Sequence, residues 1–164
     1  MCLFTQDIYP SIAEEDIICY KVIKFAGKHP LTPYMSLEIE DDVLLGKKLF
    51  CGGLRKHVEF DEWHSVNCIG EGYIHTFSTL ESAKFCLFHE VIPFIHNSNP
   101  IFDFFIYECI IPKGTEYFIG FSETGSHFCL FNKDKKNMPL NSYASDKIKF
   151  VRKMTDMEVF GYER

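Results

Sequence analysis

Gly72-Tyr73-Ile74-His75-Thr76-Phe77-Ser78-Thr79-Leu80-Glu81-Ser82-Ala83-Lys84-Phe85-Cys86-Leu87-Phe88-His89-Glu90-Val91-Ile92 is the stretch from which the fold reads outward. Residues 73–77 alternate and are β-rich, as a strand should be. The chain then passes into helical spacing without a loop. Ser78-Thr79-Leu80-Glu81 fits the capping box, in which the Ser78 hydroxyl accepts from the Glu81 amide and the Glu81 carboxylate reaches back to the Ser78 amide. Leu80, Ala83, Leu87 and Val91 recur at helical intervals, and Pro93 closes the segment.

On either side of this join the pattern is dominated by strands. Residues 17–25 alternate well: Ile18, Tyr20 and Val22 share one face, while Cys19, Lys21, Ile23 and Phe25 share the other. Lys21 therefore sits among apolar neighbours, from which its ammonium can snorkel to the sheet rim. Residues 102–111 are almost continuously apolar, as expected of a central strand buried on both faces, with Glu108 as the interruption. Two more strands are expected at 116–121 and 127–131, joined by a turn at 123–126. In 146–153, Ile148 and Phe150 face inward while Lys147 and Lys149 face outward.

The remaining segments read less regularly. Residues 1–4 fit an edge strand that Pro10 ends, 27–33 a loop, 34–39 a strand and 43–50 a short element closed by Cys51-Gly52-Gly53. Residues 54–71 read as a long exposed loop or insert. Residues 132–141 read as a solvated loop, and the C-terminal residues as one helical turn. The fold class expected is α+β: a mostly antiparallel sheet of about six or seven strands covered by one principal helix, in a single domain spanning 1–164.

Composition narrows the function classes. A chain of 164 residues with 17 Phe and 8 Tyr can bury a sizeable aromatic core. Its net charge of −6 argues against nucleic-acid binding, which requires a field of the opposite sign. Seven cysteines, an odd count without a Cys-x-x-Cys pair, together with no secretory leader and no apolar run of membrane length, point to a reduced, cytoplasmic protein that does not enter membranes. No cofactor is expected, and the partner expected is a protein or a small molecule.

Three constellations of reactive side chains compete with bland alternatives. Cys51, His57, His64 and Cys68 could furnish a tetrahedral zinc site, although their spacing lacks a knuckle. Cys86 or Cys109 with His75 or His89 would make a nucleophile and base, but both thiols fall in core elements, where they are inert. Glu108 on its apolar face must be protonated, paired with a cation such as Lys21, or poised as a general base.

Two resemblances add to this. Cys19-Tyr20-Lys21, the 72–83 segment, Ile110-Ile111-Pro112-Lys113-Gly114-Thr115 and Tyr143-Ala144-Ser145-x-Lys147-Ile148 resemble a group of small bacterial and phage proteins sharing a Gly-x-His-x-Phe strand, an Ile-Pro-Lys-Gly turn and a closing Ala-Ser-x-Lys-Ile strand. That resemblance spans most of residues 18–153 and implies a compact α+β domain of bacterial or mobile-element origin with no assigned reaction. More distantly, Tyr20-Lys21 on an early strand followed by Phe77-Ser78-Thr79 resembles the ADP-ribosyltransferase-like fold. That likeness implies NAD as substrate, with Lys21, His75 and Glu108 as candidate catalytic residues and Tyr20 and Ser78 as candidate NAD contacts. Lys21 stands there in place of Arg or His, Leu80 in place of the last Ser, and the Glu-x-Glu motif is missing. The leading expectation is a binding domain, the alternative a degenerate NAD-using enzyme, and the third a zinc module.

Overall fold

Every strand pairing among the described residues is antiparallel, as hairpin-length turns require. The computed structural model describes residues 3–33, 35–62, 65–91, 102–122 and 140–162. The strands among them are β1 (Leu3–Thr5), β2 (Ser11–Ile12), β3 (Ile17–Ala26), β4 (His29–Leu31), β5 (Phe50–Cys51), β6 (Val58–Asp61), β7 (Val66–Ile69), β8 (Ile74–Phe77), β9 (Asp103–Ile111), β10 (Glu116–Gly120), β11 (Ser142–Ser145) and β12 (Lys147–Lys153). The helices are α1 (Asp41–Leu44), α2 (Leu80–Cys86), which a π-helical turn at Leu87–Val91 continues, and α3 (Asp156–Phe160). The α+β class is as the sequence indicates, with more strands than expected.

The main sheet has the order β2-β10-β11-β8-β3-β9-β12-β5, with β4 beside β3, and a smaller sheet has the order β1-β7-β6. The spine of the main sheet is the β3–β9 ladder, continuous from Ile17↔Ile111 to Phe25↔Asp103. The alternation in these strands sorts two cores. Cys19, Ile23, Tyr107, Cys109 and Ile111 join Ile74, Ile148 and Phe150 on one face. Val22, Phe104 and Ile106 lie on the other, against Ala83, Cys86 and Leu87 of the α2 segment and Val159 of α3.

The sheet is strongly curled. One residue, Asp146, separates β11 from β12, yet β8, β3 and β9 lie between them in the sheet. Four strand spacings of about 4.8 Å would put them about 19 Å apart in a flat sheet, whereas two virtual bonds reach only about 7.6 Å. The curl resolves this and encloses the first core. It also thins the sheet at one place: β8 meets β3 through a single register pair, Tyr20↔Phe77.

Several expectations are corrected. The helix cap is Thr79, not Ser78: the Thr79 hydroxyl accepts from the Ser82 amide. Ser78 is still spent on the sheet, its amide donating to the Asn141 carbonyl at 2.9 Å, so the first residue able to cap is the next one. Glu81 pairs with Lys84 at 3.1 Å instead of turning back to Ser78. A full capping box does occur, at Thr155 and Glu158 of α3.

Residues 54–71 are not a loop throughout, because β6 and β7 form a hairpin there. Its alternation is hard to read because Val58 and Phe60 are exposed and only Val66 and Ile69 of its strands are buried. Within 27–33, His29–Leu31 pairs with β3 across a two-residue turn in which Gly27 has φ 63°. Of the strand expected at 34–39, residues 35–39 show only a lone bridge from Glu38 to Leu31, with the Thr32 amide donating to the Leu37 carbonyl at 2.8 Å, and residue 34 lies outside the described residues. The strand at 127–131, the turn at 123–126 and Pro93 lie outside the described residues. No helix among the described residues is long and apolar enough to cross a membrane.

Candidate functional site

Beyond Tyr20↔Phe77, β3 and β8 part, and a side chain takes over from the backbone ladder. The Lys21 Nζ donates to the His75 carbonyl at 2.9 Å, across the gap where strand pairing would otherwise continue. Lys21 is 6% exposed, and no carboxylate among the described residues pairs with it. Burial holds its pKa below the usual lysine value.

The gap opens into a cavity of about 890 Å³, lined by Lys21 and His75 together with residues from β5, the 52–57 segment, the 70–74 segment and the 32–37 turn. Three glycines let these walls approach one another. A Cβ on Gly52 would run into the Gly72 carbonyl, and a Cβ on Gly72, whose φ is 86°, would run into the Arg55 carbonyl. Gly70 donates its amide to the His57 carbonyl at 2.9 Å and has the His57 ring against it. The 32–37 turn is pinned by Lys24, whose Nζ donates to the Ser36 hydroxyl at 2.7 Å.

His75 is held neutral by its surroundings. Its Nε2 lies 3.1 Å from the Gly70 carbonyl, and since a carbonyl only accepts, Nε2 carries the hydrogen. Burial lowers the pKa to about 4, the Gly70 bond opposing this and the Lys21 ammonium adding to it. The other ring nitrogen, Nδ1, is therefore an acceptor, buried and without a hydrogen-bond partner. A buried acceptor without a donor is a costly feature of the fold.

The charge at the mouth is mixed. Arg55 is exposed and forms no ion pair among the described residues, whereas Lys56 is tied to Asp146 and lies 3.4 Å from Glu116. Lys56 also stands 5.2 Å from the centre of the Tyr73 ring. Glu71 is the one carboxylate among the described residues that lines the cavity, against the cations Arg55 and Lys56 and the buried amine of Lys21.

The sequence-derived candidates separate into two groups. Lys21, His75, Cys51 and His57 come together around the cavity. Tyr20 and Glu108 are register partners on the opposite face of the sheet, against the helices. Lys21 therefore does not pair with Glu108, because adjacent residues of a strand point to opposite faces. Glu108 pairs instead with Arg152 at 3.2 Å, which also holds Glu158 at 3.0 Å. Ser78 is at the start of the helix and does not line the cavity.

Of the four suggested zinc ligands, His64 lies outside the described residues and Cys68 is on β7, not in the cavity wall. No group of three metal-ligating side chains forms among the described residues. Cys86 and Cys109 are buried, and burial pushes the Cys109 thiol well above its usual pKa, so neither is a poised nucleophile. Arg55, Lys56 and Tyr73 are site residues that motif reasoning passes over. The signal that could have found them is the pair of glycine clusters, 52–53 and 70–72, beside which they fall.

The chain matches no family model, no curated protein and no solved structure.

Proposed function

We propose that the chain is a binding domain whose ligand is a small polar molecule carrying an anionic group, seated in the cavity where β3 and β8 part. The observation that carries this reading is the meeting, in one cavity wall, of a buried amine without a carboxylate and a neutral imidazole, with Arg55, which forms no ion pair among the described residues, at the mouth. Buried polar groups left in this state cost stability unless something answers them. The Lys21 amine would meet a polar group of the ligand at the wall, and an anionic group would meet Arg55 at the mouth. A volume of about 890 Å³ suits a small molecule better than a peptide side chain.

The test is a thermal-shift screen with small phosphate- and carboxylate-bearing compounds, followed by calorimetry on any compound that stabilises. A ligand at about 100 times its Kd should add about 2.7 kcal/mol to folding stability. The shift should shrink in Arg55→Ala. A screen in which no anionic compound raises the melting temperature, while uncharged compounds do, overturns the reading.

A second reading, an NAD-using enzyme like the ADP-ribosyltransferases, is favoured by one observation only, the position of Lys21 at the opening between two diverging strands. Against it, Glu108 faces away from the cavity, and no other carboxylate among the described residues replaces it except Glu71 at the wall and Glu116 near the mouth. An oxocarbenium-like charge needs a carboxylate beside the reacting ribose. NAD should accordingly give no heat on titration and no free nicotinamide, and Glu108→Gln should change neither result. Turnover that Glu116→Gln or Glu71→Gln abolishes would establish the enzyme.

A further inference from the structure

Lys21 has an environment that differs from that of an ordinary buried lysine. Its Nζ donates one hydrogen to the His75 carbonyl, and its neighbours on the inner face are Cys19, Ile23, Cys109 and other core side chains. An ammonium carries three donors, but a neutral amine hydrogen-bonded to a carbonyl still presents its lone pair. The same side chain lines a cavity large enough for a ligand. An amine desolvated in this manner is the form of lysine that attacks carbonyl compounds.

We propose that Lys21 is a covalent attachment point, condensing with the carbonyl group of an anionic aldehyde or ketone bound in the cavity. This rests on the reading of the cavity as a small-molecule site and names the ligand's reactive group. The Nζ lone pair forms a bond to the carbonyl carbon, and the carbonyl oxygen takes a proton to give a carbinolamine. Loss of that oxygen as water, with both former amine hydrogens, leaves a carbon–nitrogen double bond. The step needs no oxidant or reductant and is reversed by water. Arg55, without an ion pair of its own among the described residues, is placed to receive the ligand's anionic group.

Selectivity follows from solvation. A lysine in water is neutral in only roughly one molecule in 2,500 at pH 7. Burial moves Lys21 toward the reactive form; it does the same to Lys24, but Lys24 is bonded to the Ser36 hydroxyl and does not line the cavity.

The probe is pyridoxal 5′-phosphate, which joins an aldehyde to a phosphate, used at equimolar amounts at pH 7 and reduced with borohydride. Pyridoxine 5′-phosphate, the corresponding alcohol, serves as the non-covalent control. The expected result is one adduct per chain, mapped to Lys21, with labelling lowered by the alcohol and at least about tenfold less in Lys21→Arg. Adducts spread over the exposed lysines with none at Lys21 overturn the proposal. If the alcohol still raises the melting temperature in that case, the cavity reading survives alone; if it does not, both fall. Peptide mapping and protection by the alcohol are measured on the wild type, so they decide the outcome even where Lys21→Arg fails to fold.

Discussion

His75 is the residue on which the site's pH behaviour turns. Its pKa is about 4 in the folded chain and near 6.5 in the unfolded one, burial being the main cause. Between these values the unfolded chain binds a proton that the folded chain does not. Stability is therefore complete above the unfolded value and falls as pH drops through the window toward 4. The shift corresponds to a loss of up to about 3 kcal/mol. Denaturant unfolding of the wild type and of His75→Gln at pH 7.5 and pH 4.5 measures it: the wild type should lose more stability than the variant on acidification. Equal losses would mean that His75 takes up its proton in the folded state. At this scale the sequence is a partial guide. It marks Lys21 as a cation among apolar neighbours and His75 as a reactive side chain, since alternation and residue type show both. It does not show that Lys21 bonds a backbone carbonyl, because nothing in a single strand tells where its partner strand departs.

At the scale of elements, the junction of β8 and α2 tests how strand and helix share residues. Sequence spacing puts the cap at Ser78, but backbone pairing runs one residue past the β8–β11 ladder and takes the Ser78 amide for Asn141. Thr79 then caps the helix. Thr79→Ala should cost on the order of 1 kcal/mol, whereas Ser78→Ala should cost a few tenths. Urea midpoints of the two variants decide the matter, and the reverse order would restore Ser78 as the cap. The same competition explains which elements are legible. β12 buries alternate residues, so period two shows in its sequence, while β3 and β9 are buried on both faces and read by their long apolar runs. The β6–β7 hairpin leaves Val58 and Phe60 in solvent, and β11 has only four residues, so neither carries a pattern that local reasoning can separate from a loop.

At the scale of the whole molecule, the main sheet is two ladders hinged at one register pair. β3, β4, β9, β12 and β5 form the first, through the long β3–β9 register. β8, β11, β10 and β2 form the second; its backbone ladder to the first is Tyr20↔Phe77 alone, beside the Lys21 bond, the chain links at 13–16, 112–115 and Asp146, and the first core, which Ile74, Tyr117 and Tyr143 share with β3, β9 and β12. No local pattern announces this division, because it comes from a topology in which neighbours in the chain are separated in the sheet. It has a consequence for dynamics. Cooperative units open with free energies that follow their own contacts, and with backbone pairing between the ladders this sparse, the second opens at lower cost than the long β3–β9 ladder. Native-state hydrogen exchange should therefore find the β3 and β9 amides exchanging through global unfolding and the β10 and β11 amides through a smaller, sub-global opening. A ligand in the cavity touches β3 and β8 at once, so it should slow exchange in the second ladder more than in the first. Lys21→Met removes the bond across the join and should speed exchange in β8 and β11 while leaving the middle of β9 unchanged. Identical exchange free energies for both ladders, in the wild type and in Lys21→Met, would mean that the sheet opens as a single unit and that the Lys21 bond is not what couples its halves.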